Sequence, residues 1–228
     1  MKIGIIGGLG PLATAKFMEM LNNKLININK EIELVVINDP TTPDRTSYIL
    51  DNTKENPINS ILDMVKKLEI FDCNLLVMPC NTASYFYKEI INNTNILFIN
   101  IVEETVKYLS NHNVNKVGLL ATEGTIKSDI YKELLDNYNI ELIIPNNNEQ
   151  KIISNIIYDG IKSGKEINLN DFHKVVNHLK DLGSEKIILG CTELSALKEI
   201  YKLKDKILID AMEILADSTI KYIKSTDI

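Results

Sequence analysis

The chain repeats itself. Lys2-Ile3-Gly4-Ile5-Ile6 reads like Lys116-Val117-Gly118-Leu119-Leu120, and in the same register Gly10 meets Gly124, Glu19 meets Glu133 and Leu21 meets Leu135. Further on, Leu75-Leu76-Val77-Met78-Pro79-Cys80 reads like Lys186-Ile187-Ile188-Leu189-Gly190-Cys191. The helices before these runs match as well, with Met64, Val65 and Leu68 against Val175, Val176 and Leu179. Near the end of each copy, Leu97-Phe98-Ile99-Asn100 resembles Ile207-Leu208-Ile209-Asp210. Four matches in the same order constrain the fold more than any one segment, because a repeat of this length is one folding pattern used twice.

Within each copy, short apolar runs alternate with segments of helical periodicity. Strands are expected at Ile3–Ile6, Leu34–Ile37, Leu75–Met78, Ile96–Ile99, Val117–Leu120, Glu141–Ile144, Ile187–Leu189 and Ile207–Ile209. The alternation predicts an α/β fold with parallel-type sheets flanked by helices. The repeat predicts two similar lobes related by a pseudo-twofold axis, with a cleft between them. The first lobe would comprise residues 1–100 plus 209–228 and the second 101–208, with a C-terminal helix over about 211–224 packing back on the first. The chain has 228 residues, 45% of them hydrophobic, enough to build the cores of two such lobes.

Both copies carry a cysteine at the same place. Cys80 and Cys191 each close an apolar strand and precede polar helix-start residues, Asn81-Thr82 and Thr192-Glu193. The carboxyl end of a parallel strand is where α/β proteins place ligands, and a helix N-terminus favours a thiolate. A lone cysteine at a strand end is more often packing than chemistry. A symmetric pair facing one cleft is different, since stereoinversion needs a base on one face of a carbon and an acid on the other. Cys73 is the internal control. Its repeat partner is Ser184, so it lacks the symmetry and reads as packing.

The segments Gly7-Gly8-Leu9-Gly10-Pro11, Pro43-Asp44-Arg45-Thr46, Pro79-Cys80-Asn81-Thr82-Ala83 and Gly190-Cys191-Thr192-Glu193 resemble the aspartate/glutamate racemase superfamily, most of all its aspartate racemase branch. The resemblance runs nearly end to end. It implies a racemase that interconverts the enantiomers of aspartate, or also of glutamate, with two cysteine bases, no pyridoxal phosphate, no metal and a homodimeric assembly. In many members the Ala after Cys-Asn-Thr is followed by His, where this chain has Ser84. Glutamate racemase, hydantoin racemase and maleate isomerase are the alternatives on the same scaffold. A non-catalytic amino-acid-binding protein would not need thiols on both faces.

The surrounding candidates are less specific. Arg45, in the polar run Thr41-Thr42-Pro43-Asp44-Arg45-Thr46, reads from its neighbours as a solvated loop residue; the resemblance makes it the fork that grips a side-chain carboxylate. Lys162 resembles a second substrate-contacting cation. Asn81, Thr82 and Thr192 can donate hydrogen bonds to a carboxylate or a thiolate. Thr122, which takes the place of Gly8 in the second copy, could contact substrate with Thr125 or simply cap a helix. Glu193 could orient the substrate ammonium or Cys191, or merely sit in a first helical turn. Gly8, Gly10 and Ala13 formally match a dinucleotide fingerprint with Asp39 as its acid. Pro11 and the brevity of the match favour a tight turn that lets backbone approach a small substrate. His112, His173 and His178 share no helix face that would hold a metal. The net charge of -6 disfavours nucleic acid as a partner. The absence of a long apolar run, and the strand that starts straight after Met1, point to a cytoplasmic protein away from membranes.

Overall fold

The computed structural model describes residues 1–226; the last two residues of the expected first lobe, 227 and 228, lie outside them. The first repeat contains β1 (Lys2–Gly7), α1 (Pro11–Asn27), β2 (Glu33–Asn38), α2 (Arg45–Leu50), α3 (Ile58–Ile70), β3 (Leu75–Val77), a 3₁₀ turn (Thr82–Phe86), α4 (Tyr87–Ile91) and β4 (Leu97–Ile99). Then follow α5 (Ile101–Asn111), β5 (Lys116–Leu120), α6 (Glu123–Lys127), α7 (Ile130–Asn137), β6 (Glu141–Ile143) and α8 (Asn147–Asn155). A π-helical segment (Ile156–Ile161) leads to α9 (Leu169–Asp181), β7 (Lys186–Leu189), α10 (Thr192–Ile200), β8 (Leu208–Asp210) and α11 (Ala211–Ser225).

The two repeats build the same sheet twice. The strand orders are β2-β1-β3-β4 and β6-β5-β7-β8, and every pairing is parallel. All eight expected strands are present, with ends shifted by a residue or two. The register also aligns Asn100 with Asp210, since Val77 pairs with Ile99 and Ile188 with Ile209. No helix among the described residues is long and apolar enough to cross a membrane.

The continuous apolar runs are explained by burial on both faces. Along β1, Ile3 and Ile5 enter a core cluster that also receives Leu75 and Val77 from β3 and Val117, Leu119 and Ile188 from the second sheet. Side chains of α1, α5, α7 and α11 complete this shared layer. The alternate residues turn outward. Ile6 and Leu76 pack under α3, and Leu120, Ile187 and Leu189 pack with α8, α9 and α10. Gly4 and Gly118 are equivalent, and each lets the helix above approach closely. A Cβ on Gly4 would come within 2.8 Å of Leu76 and 3.1 Å of Leu68. Cys73 is buried in the first lobe's outer core, consistent with packing. Cys73→Ser copies its repeat partner Ser184, whose buried hydroxyl also has no hydrogen-bond partner among the described residues. The variant should fold and stay active while losing about 1–3 kcal/mol to an unpaired buried hydroxyl. A folded but inactive variant would show that Cys73 takes part in the chemistry.

Asn100 and Asp210 cap equivalent helices. Asn100 accepts from the Val102 N–H at 2.9 Å. Asp210 Oδ1 accepts from the Met212 and Glu213 N–H groups at 3.0 and 3.3 Å and from the Ser195 hydroxyl at 2.6 Å. Burial pushes the Asp210 carboxyl up. The native state therefore holds its proton more tightly than the unfolded chain does. The associated stability is fully present in acid and is lost as pH rises through the native value. Asp210→Asn keeps the acceptor and removes the buried charge, as Asn100 already does. It should raise the Tm at neutral pH and leave it little changed below about pH 3. A lower Tm at neutral pH in scanning calorimetry would mean that Lys198, 3.9 Å from Asp210, outweighs the burial.

Candidate active site

Both cysteines stand just past the carboxyl ends of equivalent strands in the two sheets, Cys80 after β3 and Cys191 after β7, and both line one cavity between the lobes. Cys191 is the N-cap of α10. The helix expected after Cys80 begins as a 3₁₀ turn, Thr82–Phe86, opened by a hydrogen bond from the Ser84 N–H to the Asn81 carbonyl at 3.0 Å, and runs on into α4. Apart from Ala83, the residues here, Asn81, Thr82, Ser84, Tyr85 and Phe86, are weak formers of an α-helix interior, which suits the tighter turn.

The two thiols sit in unlike surroundings. Burial raises the pKa of Cys80, while the nearby Arg45 guanidinium and the Ala83 N–H pull it down. Cys191 is pushed well above the usual thiol range by burial and then by Glu193. Its Sγ donates to Glu193 Oε2 at 2.9 Å, and the Thr192 hydroxyl reaches the same oxygen at 3.3 Å. One thiol thus faces cations and the other a carboxylate.

Around them the cavity is rich in donors. Arg45 is 7% exposed, which overturns the solvated-loop reading of its sequence neighbours. It opens α2 behind the Asp44 N-cap. Its guanidinium is held by the carbonyls of Thr42 (3.2 Å), Pro43 (3.0 Å) and Leu9. No carboxylate pairs with it among the described residues, and its buried Nε has no partner there. Lys162 ends the π-helical segment, with Nζ 4.0 Å from Asp44 Oδ2 and 5.0 Å from the centre of the Tyr158 ring. The hydroxyls of Thr82, Thr122 and Thr125 close a triangle across the lobes, with sides of 2.9–3.0 Å. Thr122 also caps α6, so the capping reading holds alongside its place in the cavity wall. Asn81 lines the cavity with its Nδ2 unpartnered among the described residues.

The cavity wall therefore brings together Cys80, Cys191, Arg45, Asn81, Thr82, Thr122, Lys162, Thr192 and Glu193, and leaves out Gly8. Gly8 serves the turn after β1. Its φ is +85°, and a Cβ there would lie 2.3 Å from the backbone of Asp39. Tyr158, which did not stand out in the sequence, and Thr46, read there only as part of the Arg45 motif, also line the cavity; they join across the lobes, Tyr158 Oη donating to Thr46 Oγ1 at 2.9 Å. The free space left between these side chains is about 20 Å³.

The chain is similar to known proteins along nearly its whole length. The model of the family described as Asp/Glu/hydantoin racemase matches residues 6–219. The broad specificity amino-acid racemase RacX of Bacillus subtilis is 28% identical, with 96% of this chain and 96% of that protein aligned. The structure of the Picrophilus torridus aspartate racemase superposes with a TM-score of 0.84 at 31% identity, covering 98% of this chain and 94% of the other. Glutamate racemase from Francisella tularensis, solved with D-glutamate, gives a TM-score of 0.69 at 21% identity over 99% and 81% of the two chains, a likeness of fold.

Proposed function

The chain belongs to the Asp/Glu/hydantoin racemase family and is an amino-acid racemase, and on that premise we propose that it interconverts L- and D-aspartate by a two-base mechanism with Cys80 and Cys191 on opposite faces of the α-carbon. The observation that carries this reading is that the repeat brings two equivalent strand-end thiols into the wall of one cavity. One thiolate takes the α-proton. The resulting planar carbanion is held as its enolate by hydrogen bonds to the α-carboxylate, from Asn81 and the hydroxyls of Thr82, Thr122 and Thr192. The opposite thiol then delivers its proton to the other face. One proton leaves carbon and one arrives, so the exchange needs no redox partner and, on this reading, no cofactor. In the reverse direction the thiols exchange roles.

Arg45 and Lys162 are the two cations in the wall, and they suit a second, side-chain carboxylate. Glu193 then has the task of holding Cys191 as a thiol ready to donate, through the 2.9 Å hydrogen bond. On this reading the first lobe (1–100 plus 209–228) and the second (101–208) part to admit the amino acid, breaking the Tyr158–Thr46 contact that joins them beside the cavity. The reading includes a homodimer in the cytoplasm. The broad specificity in the name of the Bacillus subtilis relative supports a second reading with wider side-chain tolerance. A chiral assay of the purified protein without added cofactor, across aspartate, glutamate and neutral amino acids, tests both. Aspartate should be racemised fastest, and no turnover of aspartate would reject the assignment.

A further inference from the structure

Tyr131 and Phe17 hold the same place in the two repeats, and both rings are buried in the core that the lobes share. The fold asks for an aromatic ring at this position, and Phe17 shows that it does not ask for a hydroxyl. Tyr131 nevertheless carries one and donates it across the lobes to Asn81 Oδ1 at 2.6 Å. That bond commits the amide. With Oδ1 accepting from Tyr131, Nδ2 must face elsewhere, and it is buried without a partner among the described residues, on a side chain that lines the cavity beside Cys80. Buried N–H groups are rarely left without an acceptor, and this one stands where a bound molecule can supply it. Burial pushes the Tyr131 hydroxyl up, so it remains a proton donor throughout the working pH range. On the other side of the pseudo-twofold axis, Phe17 and Thr192 replace Tyr131 and Asn81, and no such bond can form.

We infer that Tyr131 is a positioning residue for racemisation: through Asn81 Oδ1 it aims the Asn81 amide N–H at the substrate's α-carboxylate. This rests on the reading of Asn81 as a substrate contact. The test is steady-state kinetics on the wild type, Tyr131→Phe, Asn81→Ala and the double variant, using the amino acid that the wild type racemises fastest. Because Tyr131→Phe restores the residue of the other repeat, it should melt cooperatively. Its KM should rise roughly three- to tenfold, as for one lost hydrogen bond, with a smaller change in kcat. Added to Asn81→Ala, the same change should alter KM less than about twofold, the coupling expected when one residue acts through another. A wild-type KM for Tyr131→Phe, an equal rise in the Asn81→Ala background, or a variant that does not fold would each overturn the inference. An unchanged KM for Asn81→Ala would reject the substrate contact itself. A raised KM for Asn81→Ala beside an unchanged one for Tyr131→Phe would reject the positioning role alone.

Discussion

Cys80→Ala and Cys191→Ala should each lower racemisation by about 10²–10⁴-fold, the scale on which a positioned acid or base contributes. The double variant should be little worse than either single one. Inversion needs a proton removed from one face and another delivered to the opposite face, so the loss of either group already stops the cycle, and groups that work as a unit are strongly non-additive. The side chains are small and close to cavity space, so the folds should survive, which melting curves would verify. Losses that multiplied in the double variant would mean that the thiols act independently.

Arg45→Ala should reduce kcat/KM for aspartate by roughly 10–150-fold, the equivalent of about 1.5–3 kcal/mol for a hydrogen bond to a charged group. The effect should be confined to substrates with a side-chain carboxylate. Alanine, if turned over at all by the wild type, should be affected far less. Arg45→Lys should fall between, because it keeps the charge and loses the fork that reaches the carbonyls of Leu9, Thr42 and Pro43. Near-normal turnover of aspartate by Arg45→Ala would remove this residue from the site. An equal loss for aspartate and alanine would make its role structural.

The parts of the molecule written in local pattern were legible in the sequence. The eight strands follow from apolar runs that pack on both faces, buried in the central strands and partly buried in the edge strands β2 and β6, and the equivalence of Cys80 with Cys191 follows from the repeat. What depends on distant backbone was not legible. The burial of Arg45 is set by the Leu9 carbonyl, in the turn after β1, and nothing in the polar residues around Arg45 records it. Tyr158 enters the cavity wall from a π-helical segment that no apolar periodicity signals. The difference between Phe17 and Tyr131 carries no meaning in the sequence by itself, because the partner Asn81 belongs to the other lobe, and only the packed lobes show why the hydroxyl is there.

The two-base claim is tested most directly by following L-aspartate through early turnover in deuterated water without added cofactor. The account predicts deuterium at the α-carbon of the D-aspartate formed, and protium retained in the L-aspartate not yet converted, because the proton removed by one thiol is not the one returned by the other. D-aspartate carrying the original proton, or deuterium entering the unconverted L-aspartate as fast as the product forms, would show a single group serving both faces and would contradict it.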